Sequence, residues 1–126
     1  MEFVSFEIAK KLKGKGYPQV KKNTIAMYDE NGDWYSLIDT FDYFEYSFED
    51  FKEHGCICPT ISQVLKWLRD KKKYVVMICV TYEGNYYWVT RSLEKEIQKL
   101  AKDEYISYEQ AALAGIEDAL DNLIKI

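Results

Sequence analysis

The side chains best equipped for chemistry are the single His and the three Cys: His54, Cys56, Cys58 and Cys79. Together they would offer four ligands of the kinds zinc takes, the number a tetrahedral structural site requires. Their spacing argues otherwise. Zinc sites draw thiolates from Cys-x2-4-Cys turns, whereas one residue separates Cys56 from Cys58 in "HGCICP", an extended connector expected to project its thiols to opposite sides. Cys79 falls inside "YVVMICV", where a free Cys acts as a small hydrophobe. The expectation is buried or incidental thiols, with no metal and no cofactor. A double Cys56→Ser, Cys58→Ser change would then leave stability nearly unaltered. A Cys–His nucleophilic pair would have to join His54 to a neighbour two residues away, which seldom faces it productively. An enzymatic site would need a concave pocket holding His54 with a carboxylate or a thiol.

"DENGDW" alternates Asp29, Asn31 and Asp33 as a calcium loop begins, but such a loop needs Gly at its sixth position and Glu at its twelfth, here Trp34 and Thr40. No Gly-rich phosphate loop, nucleophile elbow or His-Glu-x-x-His motif occurs. No catalytic residue is assigned, and the chain is read as non-enzymatic.

The aromatic content, 16% of residues, is the more unusual resource. In "DTFDYFEYSFEDFKE" (39–53), six aromatic residues alternate with six acids. A core takes some of these rings, but Tyr and Trp also anchor interfaces, where one end of the ring stays wet. A second cluster, "YYWVTR" (86–91), follows Tyr82. Candidate partner-binding residues are therefore Trp34, Tyr43, Phe44, Tyr46, Tyr82, Tyr86 and Trp88. In the second cluster Tyr87 and Val89 are expected to face the helices, with Tyr86 and Trp88 on the other face of the sheet.

These residues need elements to hold them. Ser5 caps a first helix over 5–13, with Phe6, Ile8, Ala9 and Leu12 as its apolar stripe and Gly14, Gly16 and Pro18 ending it. "TIAMY" and "WYSLI" flank Asn31-Gly32, a hairpin signal for a type I′ turn with positive φ at both central residues. A short helix over 48–54 is expected between Ser47 as N-cap and Gly55 in the left-handed conformation. Thr60-Ile-Ser-Gln63 reads as a capping box, after which Ile61, Val64, Leu65 and Leu68 share one helix face and Lys71–Lys73 close it. "YVVMICVTY" and "YYWVTR" form a second hairpin around Glu83-Gly84-Asn85, and the first of these, apolar on both faces, reads as a strand interior to the sheet. Residues 92–103 suggest a short polar helix capped by Ser92. Ser107 opens the last helix, with Leu113, Ile116, Leu120, Leu123 and Ile124 as its stripe and a mid-helix Gly115 that implies close approach to a neighbour. The sum is one α+β domain spanning 1–126: an antiparallel sheet of about four strands in two hairpins, with three main helices mostly on one face.

Hydrophobic content of 48% with 30% charged residues is ordinary for a globular chain, and 126 residues bury enough surface to fold without a disulfide or metal. The odd Cys count, the absence of a basic leader with an apolar core, and no apolar run near 20 residues predict a soluble, cytoplasmic protein without a membrane span. The net charge of −4 hides segregation: six Lys and no acid in 10–22, nine acids against one Lys in 29–53, four Lys and one Arg against Asp70 in 66–73.

"SFEIAKKLKGKGY" (5–17), "PTISQVLKWLRDKK" (59–72) and "SYEQAALAGIEDALDNLI" (107–124) resemble a group of small proteins carried by gut Bacteroidales and their phages or integrated elements. The resemblance covers a little over a third of the chain. It implies a mobile-element accessory protein, and brings no activity, cofactor or site. The leading expectation is a protein-binding module using aromatic surface in 34–53 or 82–91, its partner unidentified. The alternative is nucleic-acid binding through Lys66, Arg69, Lys71, Lys72 and Lys73 on the helix over 60–73, together with the hairpin over 74–91.

Overall fold

The computed structural model describes residues 2–20, 22–36, 52–95 and 97–124, with side chains as far as Asn122. Residues 3–60 form one compact unit, and residues 61–126 with Glu2 form a second.

The first unit opens on α1 (Phe6–Gly14), whose N-cap Ser5 accepts a hydrogen bond from the Ile8 N–H at 3.3 Å. Its end is closed by the Tyr17 N–H donating to the Leu12 carbonyl at 2.9 Å, which satisfies a terminal carbonyl. Strands β1 (Ala26–Tyr28), β2 (Trp34–Ser36) and β3 (Cys56–Cys58) form an antiparallel sheet in the order β2-β1-β3. Ile8, Ala9 and Leu12 of α1 bury their stripe with Val4, Ala26, Met27 and Cys56–Cys58. The connector expected before Pro59 is thus a strand of the core. The Val4 N–H donates to the Pro59 carbonyl at 3.1 Å, and the Gln19 side chain accepts from the Ile57 N–H at 2.9 Å.

The β1–β2 turn is not type I′. Only Gly32 has positive φ (89°), Asn31 does not, and Gly32 donates back to the Asp29 carbonyl at 3.1 Å. That is a three-residue loop: a type I turn followed by a left-handed glycine. The Asp29 carboxylate accepts from the Asn31 and Asp33 N–H groups, each at 2.9 Å, which selects this turn over the mirror form. Of the expected helix over 48–54, residues 52–54 are helical and the rest lies outside the described residues. Gly55 follows without positive φ, contrary to expectation.

In the second unit α2 (Ile61–Lys71) buries Ile61, Val64 and Leu68 and leaves Leu65 half-buried. It packs on β4 (Tyr74–Val80), which pairs antiparallel with β5 (Tyr86–Ser92). The hairpin loop repeats the first one's construction. Gly84 has φ 89° and donates to the Thr81 carbonyl at 3.0 Å, and the Thr81 hydroxyl accepts from Asn85 N–H at 3.0 Å.

None of the described residues in 92–103 is helical. Ser92 accepts from the Lys95 N–H at 3.2 Å, the bond a cap makes, but the chain turns and returns as β6 (Gln98–Leu100) beside β5. Pairing with a strand edge outweighs the weak helix preference of the segment. Among the described residues the order is therefore β4-β5-β6, which makes β4 an edge strand rather than an interior one, and six strands form two three-stranded sheets instead of about four.

Last comes α3 (Tyr108–Ile124), whose Ser107 hydroxyl accepts from Gln110 N–H at 3.1 Å. Its buried face is Ala111, Ala112, Gly115, Ile116, Ala119 and Leu120. Leu113 is only half-buried, and the side chains of Leu123 and Ile124 lie outside the described residues. The small residues let α3 ride close on the sheet: a Cβ at Gly115 would meet Val76 Cγ1 at 2.8 Å and Trp88 Cβ at 2.9 Å, the close approach the sequence implied. Among the described residues no helix is long and apolar enough to cross a membrane.

Candidate functional site

The first unit carries the His and Cys chemistry. A cleft of about 430 Å³ is lined by Phe6, Lys10, Lys13, Glu30, His54 and Cys56, among others, so His54 shares a concavity with both a carboxylate and a thiol. The Lys13 ammonium spans it from α1, donating to the Lys52 carbonyl at 2.9 Å and the Gly55 carbonyl at 2.7 Å, and so tethers the end of the 52–54 turn. Lys10 sits 4.5 Å from the Phe6 ring centre.

The Cys56 thiol is pushed up to about 11 by burial, against the lowering pull of Lys13. Burial likewise raises Cys58, partly offset by hydrogen bonding with Tyr28 and Trp34. Thiols held protonated at neutral pH are poor nucleophiles and poor metal ligands. His54 is exposed, with the Glu53 carboxylate 3.9 Å from its Nε2. Burial at Cys56 thus works against thiolate formation in this cleft.

The two thiols do not diverge, as had been expected. Residues i and i+2 of a strand share a face, and Tyr28 on β1 interacts with both thiols. The Tyr28 hydroxyl donates to the Val4 carbonyl at 2.7 Å, the same oxygen that takes the Cys58 thiol at 3.6 Å. Burial, with Cys58 adding, holds that hydroxyl well above its ordinary range. Cys79 belongs to β4 of the second unit. Among the described residues no group of three or more His, Cys, Asp or Glu is arranged to hold a metal ion.

The aromatic candidates separate. Tyr43, Phe44 and Tyr46 lie outside the described residues. Trp34 is half-exposed and packs edge-on to Phe3, ring centres 5.5 Å apart. Tyr82 stands fully exposed at the β4–β5 tip. Tyr86 meets Tyr108 of α3 edge-on at 6.4 Å. Trp88 is only 6% exposed and lies against Gly115, so Tyr86 and Trp88 face the helices, the reverse of the expected assignment. The small-residue face of α3 makes room there for the indole. The Trp88 Nε1 is buried and unpartnered among the described residues.

The opposite face of this sheet was missed from sequence. Cross-strand register puts Val75, Arg91 and Gln98 in one row, Met77, Val89 and Leu100 in the next, and Cys79 with Tyr87 in a third. Val89 is buried between its neighbours, while Met77 is 41% and Leu100 58% exposed. A hydrogen bond with the Cys79 thiol raises the Tyr87 hydroxyl. Arg91 is exposed, and no ion pair with it is formed among the described residues. The signal for this face was present in "YVVMICV" itself, apolar at both alternating sets of positions. It reads as burial on two sides only when β4 is taken as interior.

On α2 the basic residues are at the surface: Lys66, Arg69, Lys71 and Lys73 are exposed. Arg69 pairs with Asp70 at 3.1 Å, and Lys72 lies 5.4 Å from the Trp67 ring centre. Four of the five cations expected for nucleic acid are exposed, but Trp88 of the hairpin expected to share that contact is buried.

No family model, no curated protein and no solved structure matches this chain.

Proposed function

We propose that this chain is a non-enzymatic protein-binding module that docks a partner on the outward face of the β4–β5–β6 sheet, in an accessory role for a phage or mobile element. The observation that carries the reading is that face: Met77, Leu100, Val75 and Tyr87 stand around Val89, with the exposed Arg91 guanidinium, in no ion pair among the described residues, at the margin. Contiguous exposed apolar surface marks interaction sites, and Tyr and Arg are the residues that most often dominate binding energy. The complementary partner presents aliphatic or aromatic side chains beside a carboxylate. Tyr82 at the hairpin tip extends the contact. The accessory role rests on the sequence resemblance alone.

The test is affinity capture from the native host with the full chain, run in parallel with Arg91→Glu, Leu100→Lys and a Lys66→Glu control on α2. One protein retained by wild type and control and lost by both sheet variants supports the reading. Equal retention by all four overturns it.

A second reading, nucleic-acid binding, is favoured by the exposed cations of α2. It requires oligonucleotide affinity that falls steeply with added salt. No binding at low salt removes it.

A further inference from the structure

We propose that two copies of this chain join through the free edge of β4, pairing antiparallel about Met77 to make one continuous sheet. This goes beyond the docking reading, and uses the strand's edge rather than its face.

Thr81 N–H donates to the Asn85 carbonyl at 2.6 Å, and Leu93 N–H to the Lys73 carbonyl at 2.8 Å. Antiparallel ladders alternate, so the odd residues of β4 bond to β5 and the even ones, Tyr74, Val76, Ile78 and Val80, turn their N–H and C=O groups outward. Among the described residues no strand pairs with that side. Exposed edges are normally blunted by shortness, charge, Pro or a bulge. The opposite edge, β6, is three residues long and carries Lys99. By contrast β4 has seven residues, with no charge, Pro or Gly.

A second copy fits this edge better than an arbitrary strand. With Met77 opposite Met77, all seven residues pair, Tyr74 with Val80 and Val76 with Ile78, and every outward backbone group finds a partner. The same register sets Lys73 of each copy opposite Thr81 of the other, close to Glu83 in its hairpin loop. Both charged side chains are exposed and in no ion pair among the described residues. Both ends of the interface are thus charge-complementary by symmetry, as a closed two-fold contact requires.

The test is light scattering of the full chain across concentration, with two variants. Wild type gives a mass twice the 14.9 kDa of one chain. Val80→Pro removes an outward donor at a residue 61% exposed, and gives the single-chain mass with unchanged circular dichroism. Met77→Cys forms a cross-linked dimer on mild oxidation, because facing residues of a non-hydrogen-bonded pair lie ~4.5 Å apart at Cα, within disulfide reach. Leu100→Cys does not. A single-chain mass up to millimolar concentration overturns the proposal. So does a dimer that survives Val80→Pro without the Met77→Cys cross-link, since another surface then holds it.

Discussion

At Cys56 and Cys58, what a thiol does is decided by burial. Both are almost wholly enclosed in the first unit's core, so a polar replacement at either position is expected to cost stability. A hydroxyl at 58 inherits the Val4 carbonyl as acceptor, whereas the Cys56 thiol makes no hydrogen bond among the described residues. Cys56→Ser is expected to lower unfolding free energy by about 1–3 kcal/mol, and Cys58→Ser by less, in chemical denaturation. The same burial sets a pH dependence. The Cys56 thiol rises from 9.0 to about 11 on folding, so the unfolded chain loses its proton first. The stability this contributes is full below about pH 9 and is lost as pH rises through 11, at no more than about 1.4 kcal/mol per pH unit. Cys56→Ala should flatten that decline in unfolding curves measured between pH 8 and 11; an unaltered slope would assign it to other groups.

At the scale of elements, Gly115 and the two hairpin glycines separate three uses of a missing side chain. Alanine at 115 gains about 1 kcal/mol of helix propensity but drives a methyl into Val76 and the base of Trp88. Overpacking of this kind costs about 1–3 kcal/mol, so Gly115→Ala is expected to lower the Tm despite the better helix former. Gly32 and Gly84 share a φ of 89°, yet a Cβ at 32 lies 2.7 Å from the Phe6 ring while one at 84 meets open space. Both Ala variants bear the backbone penalty of about 1–2 kcal/mol, and Gly32→Ala should be the more destabilised in the same thermal melt. These elements were largely legible beforehand: α1 and α3 begin at the capping Ser5 and Ser107, α2 follows Thr60, and both hairpins turn at their glycines. The turn type was misread because Asn31-Gly32 alone does not reveal the Asp29 carboxylate binding Asn31 and Asp33. The missed β6 has a related cause. "SLEKEIQKL" is acceptable helix grammar, and the β5 edge that claims it is a tertiary partner no local pattern displays.

At the scale of the whole molecule, that one strand changes where function is sought. With β6 in the sheet, β5 becomes central, β4 becomes an edge, and the apolar residues of β4 that do not face the helices form an outward surface instead of a buried layer. Of the aromatic residues chosen from sequence, Tyr82 is exposed and Trp88 is core, while Met77, Arg91 and Leu100 went unremarked because their alignment exists only across strands. The outward face is the centre of this account, and photo-crosslinking in the native host tests it most directly. A photoreactive phenylalanine at Tyr87 or Leu100 is expected to trap the same protein, while one at Lys66 on α2 does not. Adducts formed from position 66 but from neither sheet position would contradict the assignment of the sheet as the docking surface.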